Sequence, residues 1–390
     1  MALFLAPAPG GGDSAGQAMR DNRRVSTALP TSLPELQHRL HTAIAAAGGW
    51  LPFDRFMAMA LYEPGLGYYT NALQKFGAMP ASGSDFVTAP GLTPLFGQTL
   101  AQQLGEALAQ TGTEEIFEFG AGTGALALQL LDALGDQVAR YTIIDLSGTL
   151  RARQAQHLSA HAHKLRWIDT WPEAIEGVVV GNELLDAMPV KLLVRHKGLW
   201  HERGVVAEAD GLAWADRPTP LRPPLEIEGD HDYLTEIHPQ AEAFIASLAE
   251  RLRAGRGGAA FLLDYGFPEA EYYHPQRHMG TLMCHHLHQA DGDPLQKVGL
   301  KDITAHVNFT GIALAAQNAG LSVLGYTCQA HFLFNLGIAQ RMEAAPLSER
   351  VQAARLVNEH EMGELFKVIA LATHDWPAQG FARGDRSHRL

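Results

Sequence analysis

The sequence predicts an α/β protein: a Rossmann-like sheet with a helical N-terminal region and a small inserted lobe. Three observations carry this. Residues 114–128 read as strand, glycine turn and helix. Ile116, Phe117 and Phe119 make an apolar run too short for a helix, Gly120, Gly122 and Gly124 alternate after it, and Leu126, Leu130, Leu131 and Leu134 then recur at helical spacing. Further short apolar runs at 141–144, 165–168, 177–180 and 259–263 alternate with helical stretches, the pattern of a parallel sheet covered on both faces. Asp145, Asn182-Glu183 and Asp264 close three of these runs, and ligands of open α/β sheets sit outside the carboxyl ends of the strands.

Composition bounds the function. A chain of 390 residues holds one large or two unequal domains, and no apolar run is long enough to cross a bilayer. The formal charge of -12 argues against nucleic acid as a partner and is compatible with a cationic substrate. Cys284 and Cys328 make neither a disulfide framework nor a metal spacing, which points to a reducing compartment. Residues 1–30, rich in Ala, Gly and Pro, read as a disordered tail. Arg20, Arg23 and Arg24 hint at a transit segment, but Asp13 and Asp21 weigh against one. The cytoplasm is the expected compartment, with the mitochondrial matrix as the alternative for a eukaryotic protein.

The glycine spacing narrows the ligand. Glycines let the backbone turn tightly and approach a ligand, because no Cβ intervenes. A dinucleotide fingerprint is G-x-G-x-x-G, whereas here the pattern is G-x-G-x-G and Ala125 stands at the dinucleotide third-glycine position. That spacing speaks against a dehydrogenase. Glu118, two residues before Gly120, suits an ammonium group far better than a pyrophosphate. S-adenosylmethionine carries an ammonium and a sulfonium and no phosphate, and E-x-G-x-G-x-G resembles the first motif of the class I methyltransferases. Glu118, Gly120, Gly122 and Gly124 are therefore the expected cofactor-binding residues. A glycine turn of purely structural purpose is the alternative.

Taken in order, Thr31 or Ser32 caps a helix whose buried face is Leu36, Leu40 and Ile44, and a second helix covers 53–61. The following loop holds Tyr62, Tyr68 and Tyr69, which either pack on the main domain or touch substrate. Asp85 lies in a polar loop, as a ligand contact or a turn residue, before a helix at 94–108. These segments make a helical N-terminal cap, 31–112. Asp145 ends the second strand about twenty positions beyond the glycine turn, the place of the ribose-binding acid. Ser147 is a candidate cap for the next helix, with Arg151, Arg153 and Gln154 on its polar face, and Asp169 follows the third strand. After the fourth strand, Asn182, Glu183 and Asp186 stand where the methionine half of the cofactor and the acceptor meet; structural capping is the rival reading, and it suits Asp186 better than Glu183.

Residues 190–228 read as an inserted hairpin with a Pro-rich return, a lid or substrate lobe. A helix at 242–253 leads to the fifth strand and Asp264-Tyr265-Gly266. A second insertion, 268–305, holds Tyr272, Tyr273, His285, His286 and His288; no metal is expected, since no carboxylate or thiol stands at a supporting spacing. A helix at 312–319 and strands at 321–327 and 331–336 complete a core of 113–340. Residues 341–390 form a helical segment and tail, with 366–371 as a further buried strand.

Together these segments resemble the MidA-like family of methyltransferases, whose mitochondrial members act as respiratory complex I assembly factors. The resemblance rests on Leu61-Tyr62-Glu63-Pro64 with Gly67-Tyr68-Tyr69, on Asp85 to Pro90 with Leu95-Phe96-Gly97, on Glu118 to Gly124, on Asn182 to Val190, on Asp264-Tyr265-Gly266 and on Asp302 to Phe309. It implies a class I methyltransferase sheet, S-adenosylmethionine as donor and an arginine of a protein, a complex I subunit in the mitochondrial branch, as acceptor. It implies no nucleic-acid partner and no membrane insertion, and leaves a homodimer open. Two positions depart from the family pattern: Gly91 stands where Glu is usual and Asn308 where Asp is usual. Both departures remove a carboxylate and motivate the alternative of a catalytically weak assembly or interaction protein. An arginine is charged and a poor nucleophile until it sheds a proton. A carboxylate can grip it bidentately and stabilise the charge. Glu183 is the first candidate for that catalytic role and Asp186 the second, with Asp85 and Asp264 behind them. Asp145 and Asn182 join the glycine turn as cofactor-binding residues.

Overall fold

The computed structural model describes residues 32–71, 88–145, 148–209 and 211–390. Its main sheet contains β1 (Glu115–Phe119), β2 (Arg140–Ile144), β3 (Leu165–Ile168), β4 (Gly177–Asn182), β5 (Gly258–Phe267), β6 (Ser322–Cys328) and β7 (Phe366–Ala372), in the spatial order β3-β2-β1-β4-β5-β7-β6. β1 to β5 are parallel, and β7 is antiparallel to both its neighbours. This is the class I methyltransferase arrangement. Strand order reverses between β1 and β4, which opens a crevice at their carboxyl ends.

The apolar runs are explained by their two-sided burial. Val178, Val180, Phe261 and Leu263 pack with helices Leu95–Thr111, Ala125–Leu134 and Leu347–Val357. Val179, Ala260 and Leu262 point the other way, onto Pro239–Ala254 and Phe309–Asn318. Successive strand residues alternate faces, so a strand covered on both sides needs an apolar residue at every position.

A third core lies beside the sheet. Strands Lys191–His196, Leu199–Glu208, Gly211–Pro218 and Tyr233–Ile237 form an antiparallel lobe, completed by N-terminal Leu51–Pro52, which pairs with Val205 and Gly204. Helices Ser32–Ala46 and Phe53–Tyr62 bury Leu36, Leu40, Phe53, Phe56 and Met57 against this lobe and against the small sheet of Met283–His286, Gln289–Asp291 and Asp302–Thr304. The first helices and both insertions thus share one core.

Several expectations change. The segment 331–336 is not a strand: Gln329–Asn335 is a helix that buries Phe332 and Leu333, and a short apolar run carries no periodicity to separate the two. Packing does not divide the chain at residue 112, because helix Leu95–Thr111 packs on Ala125–Leu134, β4 and β5. The buried strand expected at 366–371 is present as β7, an inner strand of the sheet, and the tail after it is tied to the core, with Arg386 N donating to the Tyr326 carbonyl at 2.6 Å. The expected disordered tail, Ser147 and Asp85 lie outside the described residues.

Candidate active site

A cavity of about 660 Å³ opens at the carboxyl ends of the strands. One half surrounds the glycine turn. Gly120, Gly122 and Gly124 have φ of +66°, +52° and +83°, in the left-handed region that side chains disfavour, so alternating glycines are what this turn requires. Glu118 is buried beside it and accepts a bond from Tyr141 Oη at 2.7 Å; burial pushes its carboxyl up to about 7. Asp145 is held from behind. Gln154 Nε2 donates to Asp145 Oδ2 and to the Gly122 carbonyl, both at 3.0 Å, while Trp167 Nε1 donates to Gln154 Oε1 at 3.0 Å. Fully buried Gln154 thereby locks the acid to the glycine turn. Asp169 lines the cavity one strand further out, and Trp171, Phe119 and Phe244, with ring centroids 4.9 to 5.2 Å apart, form an aromatic wall.

The other half is acidic and aromatic. Glu183, at the end of β4, has φ +53°, rare for a residue with a side chain and found mostly where the surroundings enforce it. Asn182 Nδ2 donates to Glu183 Oε1 at 2.9 Å, and burial, reinforced by Asp186, pushes the Glu183 carboxyl up to about 8. Tyr265 Oη donates to Asp186 Oδ2 at 2.5 Å. Asp186 is 5% exposed, and its Oδ1 is buried with no partner among the described residues. Tyr62 and Tyr69 stack at 5.5 Å; Tyr62 Oη donates to the Ala187 carbonyl at 2.9 Å, and Tyr69 Oη to Asp302 Oδ1 at 2.8 Å. His285, His288 and Thr304 of the small sheet also line this half. Among the described residues, no group of three His, Cys, Asp or Glu could hold a metal ion.

Of the residues singled out from the sequence, Glu118, Gly120, Gly122, Asp145, Asn182, Glu183 and Asp186 all line the cavity. Gly124 caps helix Ala125–Leu134 behind the turn. Asp264 is redirected: its Oδ2 accepts from the backbone N–H groups of Leu184, Leu185 and Asp186 at 3.0, 2.8 and 3.2 Å, and Oδ1 from that of Tyr265 at 2.9 Å. It braces the turn that carries the cavity acids and does not line the cavity. One oxygen of Glu183 accepts from Asn182 and one of Asp186 accepts from Tyr265. The two departures separate as well. Gly91 lines the cavity, whereas Asn308 caps helix Phe309–Asn318, its Oδ1 accepting from Gly311 N at 3.3 Å. The tyrosine loop serves both readings: Tyr68 is buried packing, and Tyr62 and Tyr69 line the cavity.

Sequence reasoning passed over Gln154 and Trp167 as the support of Asp145, and Asp169, Trp171, Phe244, Tyr265 and Asp302 as cavity residues. Asp169 ends a parallel strand as Asp145 does, a usable signal. Asp302 opens the segment Asp302 to Phe309 that carries part of the resemblance, while Phe244 has no such signal, since only tertiary packing brings it here.

The family described as "Putative S-adenosyl-L-methionine-dependent methyltransferase" matches residues 99–327. Among curated proteins, the chain is 27% identical over 380 residues to protein arginine methyltransferase NDUFAF7, mitochondrial, of Danio rerio, covering 86% of each. It is 26% identical over 364 residues to the mitochondrial NDUFAF7 homolog of Caenorhabditis elegans, covering 83% of each. Among solved structures, it is 47% identical to a Burkholderia thailandensis protein bound to S-adenosyl-homocysteine, covering 93% of this chain and 99% of that one with a TM-score of 0.88. A second, native Burkholderia thailandensis structure aligns at 46% identity and a TM-score of 0.83, with the same coverage.

Proposed function

Because the chain belongs to the MidA-like family of S-adenosylmethionine-dependent methyltransferases, we propose that it transfers the methyl group to an arginine side chain of a protein substrate. That it is a methyltransferase using S-adenosylmethionine is the premise; the acceptor is the proposal. One observation carries it above the others. Asp186 keeps a buried carboxylate oxygen with no partner among the described residues, in a chamber that also holds Glu183, Asp302 and three tyrosines. A buried unpaired carboxylate oxygen is costly, and a cationic N–H donor relieves that cost. The names of the two curated relatives support arginine as the cation.

The residues present fit the donor. Glu118 offers a carboxylate to its ammonium, Asp145 to its ribose hydroxyls and Asp169 to an exocyclic amine, with the Trp171 wall beside them. Asn182 Oδ1, buried and unpartnered among the described residues, adds an acceptor near the methionine end. When bound, S-adenosylmethionine supplies an electrophilic methyl group on a sulfonium. The protein's own work is to align the acceptor and exclude water. Asp186 Oδ1 and Glu183 Oε2 each take one N–H of the guanidinium, and Tyr62 and Tyr69 flank it. Glu183 Oε2 receives the proton released as the new N–C bond forms, which its raised pKa suits. Asp302, tied to Tyr69, sets the third side of the chamber.

A complex I subunit is the protein partner that the family resemblance implies. The word mitochondrial in the names of these two relatives is consistent with the mitochondrial alternative. The weak-enzyme, assembly-protein reading now rests on Gly91 alone, since Asn308 serves as a helix cap. Incubation with methyl-labelled donor and cell lysate, followed by acid hydrolysis, tests the proposal. Labelled methylarginine, lost in Glu183→Ala and Asp186→Ala, is the expected result. Label on another amino acid overturns arginine, and no transfer at all favours the assembly reading.

A further inference from the structure

S-adenosylmethionine presents three charges: a sulfonium, an ammonium and an α-carboxylate. The cavity answers the first two generously, with Glu118, Asp145, Asp169, Glu183, Asp186 and Asp302 along its wall. The same acids repel the third. An α-carboxylate brought among six acids in a partly dehydrated cleft needs a cation of its own. Among the described residues that line the cavity, Arg355 is the one lysine or arginine.

Arg355 sits near the end of helix Leu347–Val357, in the segment between β6 and β7 and outside the region matched by the family. Its helix packs on the short helix Ala89–Leu92, which in turn packs on helix Ala125–Leu134 behind the glycine turn. Leu356, Ala89 and Leu126 share one apolar cluster, with Met362 packed against it. The helix that carries Arg355 is thereby linked, through Ala89–Leu92, to the helix that follows the glycine turn, and the Arg355 side chain, 49% exposed, lines the same cavity. Its Nε donates to Glu361 Oε1 at 3.2 Å, and neither Nη is hydrogen-bonded among the described residues. An arginine held through Nε presents its two terminal nitrogens as a pre-oriented fork for a second carboxylate.

We infer that Arg355 binds the α-carboxylate of the donor's methionine half, with Glu361 orienting the guanidinium from behind. Glu118 and Arg355 then read the two charges of one amino acid, so the site discriminates a complete methionine moiety from a truncated thionucleoside. The inference concerns donor binding and stands whatever the acceptor is.

Calorimetric titration with two ligands tests it: S-adenosylhomocysteine, and its decarboxylated analogue S-adenosyl-3-thiopropylamine, which keeps the amine. Arg355→Ala is expected to weaken S-adenosylhomocysteine by about 10- to 100-fold, the worth of a charge-assisted bond, and to change the analogue by less than about threefold. Arg355→Lys, which keeps the charge without the fork, falls between. Wild-type protein prefers S-adenosylhomocysteine, and Arg355→Ala loses that preference. Equal weakening of both ligands, or none of either, overturns the assignment. Glu361→Gln should leave S-adenosylhomocysteine bound, with the analogue unaffected; a loss as large as that of Arg355→Ala for both ligands would mean that the pair only supports the fold.

Discussion

The half of the cavity proposed to hold the donor takes Glu118, Asp145 and Asp169 from the ends of three neighbouring parallel strands. The acceptor half takes Tyr62 and Tyr69 from the N-terminal loop, Asp186 and Tyr265 from beyond β4 and within β5, and Asp302 from the second insertion. In the first half, sheet register does the positioning: Phe119 pairs with Ile144 and Ile144 with Ile168, so the residues that follow each strand converge by construction. In the second, convergence depends on a core shared by the first helices and both insertions, and on side-chain bonds such as Tyr69 to Asp302 and Tyr265 to Asp186. The first half is positioned by local geometry, whereas the second is positioned by how separate pieces dock.

Substitutions on either side of this divide sharpen it. The largest effect is expected for Asp186→Asn, which keeps the shape and removes the charge. Turnover with labelled donor should fall about 10²- to 10³-fold while S-adenosylhomocysteine affinity stays within about threefold. Parallel losses in turnover and donor affinity would merge the two halves. Asp145→Ala should do the converse and cost about 10- to 100-fold in S-adenosylhomocysteine affinity by calorimetry. Unchanged affinity would remove Asp145 from the donor half.

A pH series separates the halves without mutation. Glu118, raised to about 7, and Glu183, raised to about 8, keep their protons in the folded protein over a range where the unfolded chain has released them. The stability they lend is full below the ordinary carboxylate range and is lost as pH climbs through those raised values. Thermal melts of the ligand-free protein should therefore fall between the ordinary carboxylate range and about pH 8. Donor binding has the opposite sign, because an ammonium needs ionised Glu118. S-adenosylhomocysteine affinity should rise by up to about tenfold per pH unit and level off above about 7. Glu118→Gln should flatten that rise and Glu183→Gln should not; the reverse pattern would exchange their roles. The smallest effect belongs to Asn308→Asp. Asp and Asn cap a helix about equally, so stability should move by no more than about 0.5 kcal/mol in a denaturant melt, with turnover unchanged. Gly91→Glu, on the cavity wall, should alter the acceptor KM instead.

Strands β1 to β5, the glycine turn and the acids at the strand ends were legible in the sequence because their signals are local. Apolar runs, alternating glycines and an acid one residue past a strand all fall within a few positions of each other. At 331–336 the sequence suggests a strand because the aromatics carry no period, and the helix Gln329–Asn335 found there is decided by the wall on which Phe332 and Leu333 pack. Asp264 and Asp186 look alike as acids after a strand. Only the folded chain has Asp264 accept from four backbone N–H groups and leaves Asp186 an oxygen with no partner among the described residues.

By itself, then, the sequence determined the donor: an acid, three alternating glycines and a second acid about one βα unit further on specify a cationic, phosphate-free cofactor through chemistry that short-range backbone geometry enforces. The tertiary structure alone decided the acceptor chamber. Tyr62, Tyr265 and Asp302, far apart along the chain, are brought together by apolar burial in cores assembled from distant segments, and the residues next to each do not show that they meet.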